Sequence, residues 1–387
     1  TEPMCNSDTG APTDAGPGYA VPCSLVAKVQ SGSADTDTNT TDANFEVPIV
    51  HKFALGLNSS FGVEDLLFNM DVIATEVENP AIINDINVSK TGETDFTGRP
   101  YYNCSGGNAR DSFTCFGPFD FQLTNSSQSP VGLTYSLSLS KLWRESDVRF
   151  SIGYANTSLQ DVTPMTSSVA YSNFTGVATI DRNNPTVAQS NHVIPERITA
   201  TLRYQPVTIE GGYRFKASLF INRFQSRSYS YTYDGEEHGQ TPAFTDQSLL
   251  YVPTNAADPN VVFDGISPAA FFAITDAAGC PRGQYCPRNS IDGAWNTSIN
   301  LKLAQEFPGF APDHEAEIYM VIKNLGNLVN SKYGIFREPG FPSMQKVARL
   351  SEIDDEGRYV YDRLYSPRGS SISPYASTYE VKFGFYY

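Results

Sequence analysis

Apolar residues recur at every second position in nine stretches of this chain. In LTYSLSLSKLW, Leu133, Tyr135, Leu137 and Leu139 fall on one side of an extended backbone, and Thr134, Ser136, Ser138 and Ser140 fall on the other. A period of two predicts a β-strand, and a row of small hydroxyls opposite a row of apolar side chains predicts one wet face. Upstream, Phe53, Leu55 and Leu57 oppose Lys52, Ala54 and Gly56, and Leu66, Phe68, Met70, Val72 and Ala74 oppose Asn69, Asp71 and Thr75. Downstream, Val148, Phe150, Ile152 and Tyr154 oppose Arg149, Ser151 and Gly153, and Ile198, Ala200, Leu202 and Tyr204 oppose Thr199, Thr201 and Arg203. The run of Tyr213, Phe215, Ala217, Leu219 and Ile221 is predicted to continue through SYSYTY to about Tyr233. NTSINLKLAQEF, EAEIYMVIKNL and the closing YASTYEVKFGFYY complete the series; in the last, Tyr379, Val381, Phe383, Phe385 and Tyr387 oppose Glu380, Lys382 and Gly384.

The connections alternate in length. SSFG, WRESD, PVTIEGG and PGFAPDH are short, whereas the segments after the second, fourth, sixth and eighth strands are long, polar and rich in Gly, Pro and Asp. Bacterial outer-membrane barrels combine short periplasmic turns with long extracellular loops. The pattern therefore predicts an all-β, antiparallel transmembrane β-barrel whose closing strand descends to the periplasm. Nine strands are an odd number, and an unpaired edge in hydrocarbon costs several kcal/mol per open backbone group. Residues 45–387 are accordingly expected to be the C-terminal part of a larger barrel, and residues 1–44 an extracellular loop-like segment with a short strand stub at Leu25, Ala27 and Val29.

Composition narrows the classes. Charged residues are 18% of the chain, below the ~25% of an average soluble domain. Lys+Arg 27 against Asp+Glu 42 leaves a net charge of -15, which repels a phosphate backbone and argues against nucleic acid as a partner. The longest apolar run, around Ala269 to Ile274, is too short for a spanning helix, a test to which barrel strands are invisible. TEPMCNSDTG lacks the basic and apolar regions of a signal peptide, so the sequence reads as mature or as starting within a larger protein, the second being preferred. The six cysteines fall in local pairs, Cys5 with Cys23, Cys104 with Cys115 and Cys280 with Cys286. Such pairs predict disulfides in an oxidising compartment; a zinc site is the weaker alternative, because CPRGQYC lacks C-x-x-C spacing and no histidine lies near any pair.

Candidate chemistry is sparse. There is no GxSxG, HExxH, P-loop or GxGxxG after a strand, and the chain is read as a non-enzyme without a cofactor. Glu236, Glu237 and His238 form an adjacent trio that is read as solvated, and DTDTNTTD and EIDDEG could take calcium but lack the spacing of an EF-hand loop. Arg149, Arg203, Arg214, Lys216, Lys302, Glu317 and Lys382 alternate with the lipid-facing set and are expected to face the lumen, chiefly in ion pairs that pack against a plug. Trp143, Tyr229, Tyr231, Phe385 and Tyr387 are expected at the membrane–water boundaries. Asn39, Asn103 and Asn173 begin Asn-x-Ser/Thr sequons.

The stretches NFEVPIVHKFALGLNSSFG, EDLLFNMDVIATEVENPAIINDINVSK, TGRPYY, FQLTNSS with GLTYSLSLSKLW, and YANTSLQDVTPMTSSVAYSNF resemble the Oar-like TonB-dependent outer-membrane receptors. DRNNPTVAQSNHVIPERITATLRY, SYSYTYDG, LLYVPTNAADPNVVF, CPRNSIDGAWNTSINLKLAQEFP and EIYMVIKNLGNLVNSKYG continue the resemblance in the family's order from about Asn44 to the closing strand. The resemblance implies a C-terminal portion of a barrel of twenty-two strands, accompanied elsewhere by a carboxypeptidase-regulatory-like domain and a plug. It further implies binding of an extracellular ligand by the loops and import through the barrel, with TonB, outer-membrane lipid, the plug and the remaining strands as partners. These 387 residues contain neither a plug nor a TonB box and are expected to supply wall strands and outer loops only. Two alternatives stand beside this: an outer-membrane anchor or interaction platform without transport, and a secreted, disulfide-bonded β-sandwich that recognises a partner.

Overall fold

The computed structural model of the chain describes residues 4–6, 20–30, 39–104, 120–235, 247–311, 314–367 and 369–387. The predicted nine strands form one antiparallel meander: Ile49–Ser59, Leu66–Glu78, Val131–Trp143, Val148–Asp161, Glu196–Tyr204, Tyr213–Gln225, Trp295–Pro308, Glu315–Lys323 and Glu380–Tyr386. Each pairs with its neighbours in sequence, and two short strands, Ala188–Gln189 and Val207–Ile209, attach beside this path. The sheet is open, with the first and ninth strands as its edges. Among the described residues no helix is long and apolar enough to cross a membrane.

Register aligns the apolar sets into a single face. Leu55 lies opposite Val72, and Leu137 lies between Met70 and Tyr154. Ala200 pairs with Ile152 and Ile221, Leu301 with Leu219 and Ile322, and Ile322 with Val381. A slip of one residue in any strand would turn its whole apolar set to the other side. Among the described residues this face stays open even on inner strands, where Leu137, Ile152 and Leu202 keep 37%, 41% and 44% of their surface. The opposite face carries most of the hydroxyls, amides and charges; exceptions on the apolar side such as His51, Glu76, Glu78, Lys141 and Arg223 lie near the strand ends.

Pairing also sorts the connections. The described residues of the short turns 60–65, 144–147, 205–212 and 309–314 lie at one end of the sheet, and those of the connections 79–130, 162–195, 226–294 and 324–379 leave the other. These long connections fold together as a cap. Its main sheet runs Ser230–Asp234, Met344–Ile353, Tyr359–Leu364, Val261–Phe263, mixing parallel and antiparallel pairs. Around it packs a core of Tyr231, Tyr233, Leu250, Phe271, Val347, Leu350, Tyr359 and Tyr361, joined by the Cys280–Cys286 disulfide. A smaller cluster of Ile83, Phe121 and Phe174 unites two other connections.

Three expectations are corrected here. The sixth strand does not continue to Tyr233 but ends at Gln225; Ser230–Asp234 is a separate strand paired parallel with Met344–Ile353. The period of two is unbroken there, but both sides of that strand are buried, so periodicity alone could not separate cap from wall. Tyr229 and Tyr231, expected at a membrane boundary, are buried in the cap core for the same reason. Leu25, Ala27 and Val29 lie in a helix, Cys23–Gln30, which the Cys5–Cys23 disulfide ties to the short pair Met4–Asn6 and Ala20–Pro22. By contrast Trp143, Phe385 and Tyr387 are exposed at the short-turn end of the apolar face, where Phe310 stands edge-on to Tyr387.

Candidate functional site

All seven charged residues singled out from the alternation lie on the polar face, where register brings them into two groups and an outlier. In the first group, the Lys216 ammonium binds Glu306 and, at 2.9 Å, Glu317, which also binds Lys302 at 3.0 Å. Glu306 was not anticipated; it lies in register with Glu317, and Lys216 keeps these two like charges compatible. Lys382 binds Glu380 at 3.0 Å, and Glu380 reaches Lys323 at 2.9 Å. Gly384 allows the closing strand to lie under Tyr319, since a Cβ there would stand 2.0 Å from the ring. The second group is Arg149, Arg203 and Arg214, which with Leu142, Asp147 and Gln205 surround a cavity of about 200 Å³ at the short-turn end.

A larger cavity, about 610 Å³, lies where the polar face meets the cap. Its floor is the cap-proximal end of the first three strands, where Val50, Ile73 and Val77 interrupt the polar pattern, and its roof includes Val162, Pro164 and Met165. Lys52, Asp161 and His192 supply the charged or titratable groups of the wall. Burial pushes the His192 imidazole below its usual range and Arg227 adds to this, against a smaller opposing effect of Asp161, so His192 is neutral at pH 7. The Asp161 carboxylate receives Arg288 at 2.9 Å, and the same guanidinium donates to the carbonyls of Asp161 and Val162. Lys52 has no ion-pair partner among the described residues. The volume and the mostly apolar lining suit a small-molecule site with a few orienting polar groups.

The cap above is interlocked rather than loose. The hairpin tip at residues 95–99 inserts its polar groups into the aromatic core. The Asp95 carboxylate accepts from the Thr97 amide at 2.8 Å, the Arg99 amide at 3.0 Å and the Tyr359 hydroxyl. Arg99 donates to the Tyr233 hydroxyl and, at 2.8 Å, to Ser248, while Thr97 and Tyr285 share a hydrogen bond of 2.9 Å. Burial drives the Tyr231 and Tyr285 hydroxyls up to about 12 and those of Tyr359 and Tyr361 well above their usual value. Gly235 marks another close approach, where a Cβ would stand 2.0 Å from the Leu350 carbonyl oxygen. None of these contacts was anticipated, because they join segments far apart in sequence.

Cys5–Cys23 and Cys280–Cys286 are bonded as expected; Cys115, partner to Cys104 in the expectation, lies outside the described residues, as do Glu236, Glu237 and His238. In EIDDEG the Asp354 carboxylate accepts the Arg358 and Glu356 amides and the Arg358 guanidinium, closing a hairpin turn. Part of DTDTNTTD is outside the described residues, and among those described no group of three or more His, Cys, Asp and Glu could hold a metal. Asn173 is buried and its amide donates to the Ser167 carbonyl. No known protein family, curated protein or solved structure matches the chain.

Proposed function

We propose that this chain forms part of the wall and the outer cap of a bacterial outer-membrane receptor of the TonB-dependent kind, which captures a ligand under the cap and imports it through the barrel. The observation that carries the reading is the inverted polarity of the sheet. Nine strands present an apolar face with exposed side chains from its first strand to its last, while most of their ion pairs and hydroxyls gather on the other side. Exposed apolar patches on soluble monomers rarely exceed a few hundred Å², and a face spanning nine strands needs an apolar solvent or a partner of equal extent. Hydrocarbon meets that need, and the exposed aromatics at the short-turn end suit a lipid–water boundary. The outer edges of Ile49–Ser59 and Glu380–Tyr386 then require further strands, since open backbone groups are not tolerated in lipid.

The cavity between the first three strands and the cap is the capture site in this reading. Membrane fractionation of the native protein tests the first half: it should stay with outer membranes through a carbonate wash, leave them only in detergent, and run as a compact band unless boiled. A protein recovered in aqueous solution without detergent refutes the barrel. Uptake measured with and without an energised inner membrane tests the second half. Ligand binding without energy-dependent uptake would make the chain a platform.

A further inference from the structure

Arg149 and Arg203 sit directly opposite each other on neighbouring strands. Like charges in that position repel and destabilise a sheet, yet among the described residues neither guanidinium has an ion-pair partner. Their neighbours are already committed. Arg214 reaches Asp147 at 3.3 Å and donates to the Gln205 carbonyl at 2.5 Å. Asp65, the next acid within electrostatic reach of Arg149, is taken by a two-pronged contact with Arg144 at 2.5 and 2.7 Å. Elsewhere on the polar face Lys216, Lys302, Lys323 and Lys382 have carboxylates, while Lys52 and Arg197 stand singly, Arg197 over the Phe224 ring. Among the described residues, two cations without an ion pair face each other only around the 200 Å³ cavity that the three arginines line.

We propose that this cavity is an oxyanion site, with Arg149 and Arg203 as its two forks and Arg214, held by Asp147, as its third wall. Guanidinium groups match the oxygens of carboxylate and phosphate in pairs. An oxyanion bridging Arg149 and Arg203 turns their repulsion into attraction and explains why the pair is sustained in a chain whose net charge is -15. The oxyanion is either the carboxylate of a protein segment seated on the polar face or a free phosphate-type ion. The proposal depends on the cross-strand pair alone and stands or falls separately from the membrane reading.

The test uses the native protein, the double variant Arg149→Gln/Arg203→Gln, and the single variant Arg203→Lys. Thermal unfolding is followed while inorganic phosphate replaces chloride at constant ionic strength. A free oxyanion site gives a phosphate-dependent rise in Tm that requires at least about tenfold more phosphate in the double variant, the loss of roughly one charge-assisted hydrogen bond. A site already filled by a protein carboxylate shows no phosphate effect; instead, carbodiimide treatment joins the lysine of Arg203→Lys to an acidic side chain, identified by peptide mass mapping, and the double variant melts lower than the native protein. The proposal is overturned if phosphate has no effect and no cross-link forms, whether the double variant melts lower through lost packing or at the same temperature or higher through simple relief of repulsion.

Discussion

The two faces of the third strand allow a paired test of what the sheet dissolves in. Leu137 is the midpoint of the strand Val131–Trp143, thirteen residues long, and Ser136 is its immediate neighbour on the polar side. At ~3.4 Å per residue and a tilt near 40°, such a strand spans roughly 34 Å along the membrane normal, slightly more than the ~30 Å hydrocarbon core. Leu137 then lies near the midplane, too deep for an arginine to reach either interface. Leu137→Arg should cost about 2–4 kcal/mol in lipid. Ser136→Arg places the same charge opposite Asp71, where a partly solvated ion pair changes stability by less than about 1 kcal/mol. Reversible denaturant unfolding in phospholipid vesicles, followed through Trp143 and Trp295, measures both. The reasoning is refuted if the two variants lose equal stability or if Leu137→Arg loses less than about 1 kcal/mol, since a 37% exposed side chain that faced water would tolerate the charge.

The cap offers further predictions. Asp95→Ala removes the acceptor of one buried and one half-buried backbone amide and of the Tyr359 hydroxyl, which should cost about 2–4 kcal/mol locally; hydrogen exchange at residues 95–99 and in Tyr359–Leu364 should accelerate while the strands of the meander stay protected. In alkali, Tyr231 and Tyr285, raised to about 12 in the folded cap, contribute stability that is intact below their unfolded value of ~10 and is lost as the pH climbs through the folded one. The step of tyrosinate absorbance lost in the double variant Tyr231→Phe/Tyr285→Phe should therefore coincide with loss of near-ultraviolet circular dichroism around pH 12, not two units earlier. Arg288→Met strands the Asp161 carboxylate and two backbone carbonyls beside the larger cavity, a change expected to cost about 3–5 kcal/mol and to lower the temperature of the cap transition in calorimetry.

The wall was legible in the sequence and the cap was not, for one physical reason. A strand with two different environments must alternate, so Leu133 to Ser140 declares both its period and its faces. The seven polar-face charges followed from the same alternation, because a charge between two residues of the apolar face can point only one way. Ser230–Asp234 has one environment on both sides, and its Tyr/Ser alternation imitates a wall strand while pairing with residues a hundred positions away. Asp95, Arg99 and Arg288 carry no signal in the alternation, yet each is buried because its partners arrive from a segment far away in sequence. Glu306 was hidden differently, since its role depends on register with Glu317 and on Lys216 two strands away.

That division bears on how the proposed receptor would work. The tightly packed core among the described residues lies in the connections, not in the regular sheet: Tyr233, Phe271, Val347, Tyr359 and Tyr361 have no exposed surface, whereas Phe53, Leu55, Leu133, Leu139, Leu202 and Phe383 of the sheet are exposed. A cap made of independent loops could open one loop at a time. Here the connection after the second strand is anchored by Asp95 and Arg99 to the segments after the sixth and eighth, and the end of the fourth strand is held by Arg288 of the sixth-strand connection. Displacing any one of them exposes unpaired buried groups in another, so the connections move together rather than one at a time, and the boundary that matters for a ligand is the one between cap and sheet. The cavity lies on that boundary, with its floor on the wall and its roof on the connection after the fourth strand. A ligand that touches both sides biases the cap's position relative to the wall only by the difference in contacts it makes in the two arrangements. Cross-linking Lys52 on the floor to the roof should therefore block release of a captured ligand without melting the cap, an outcome that separate flexible loops would not produce.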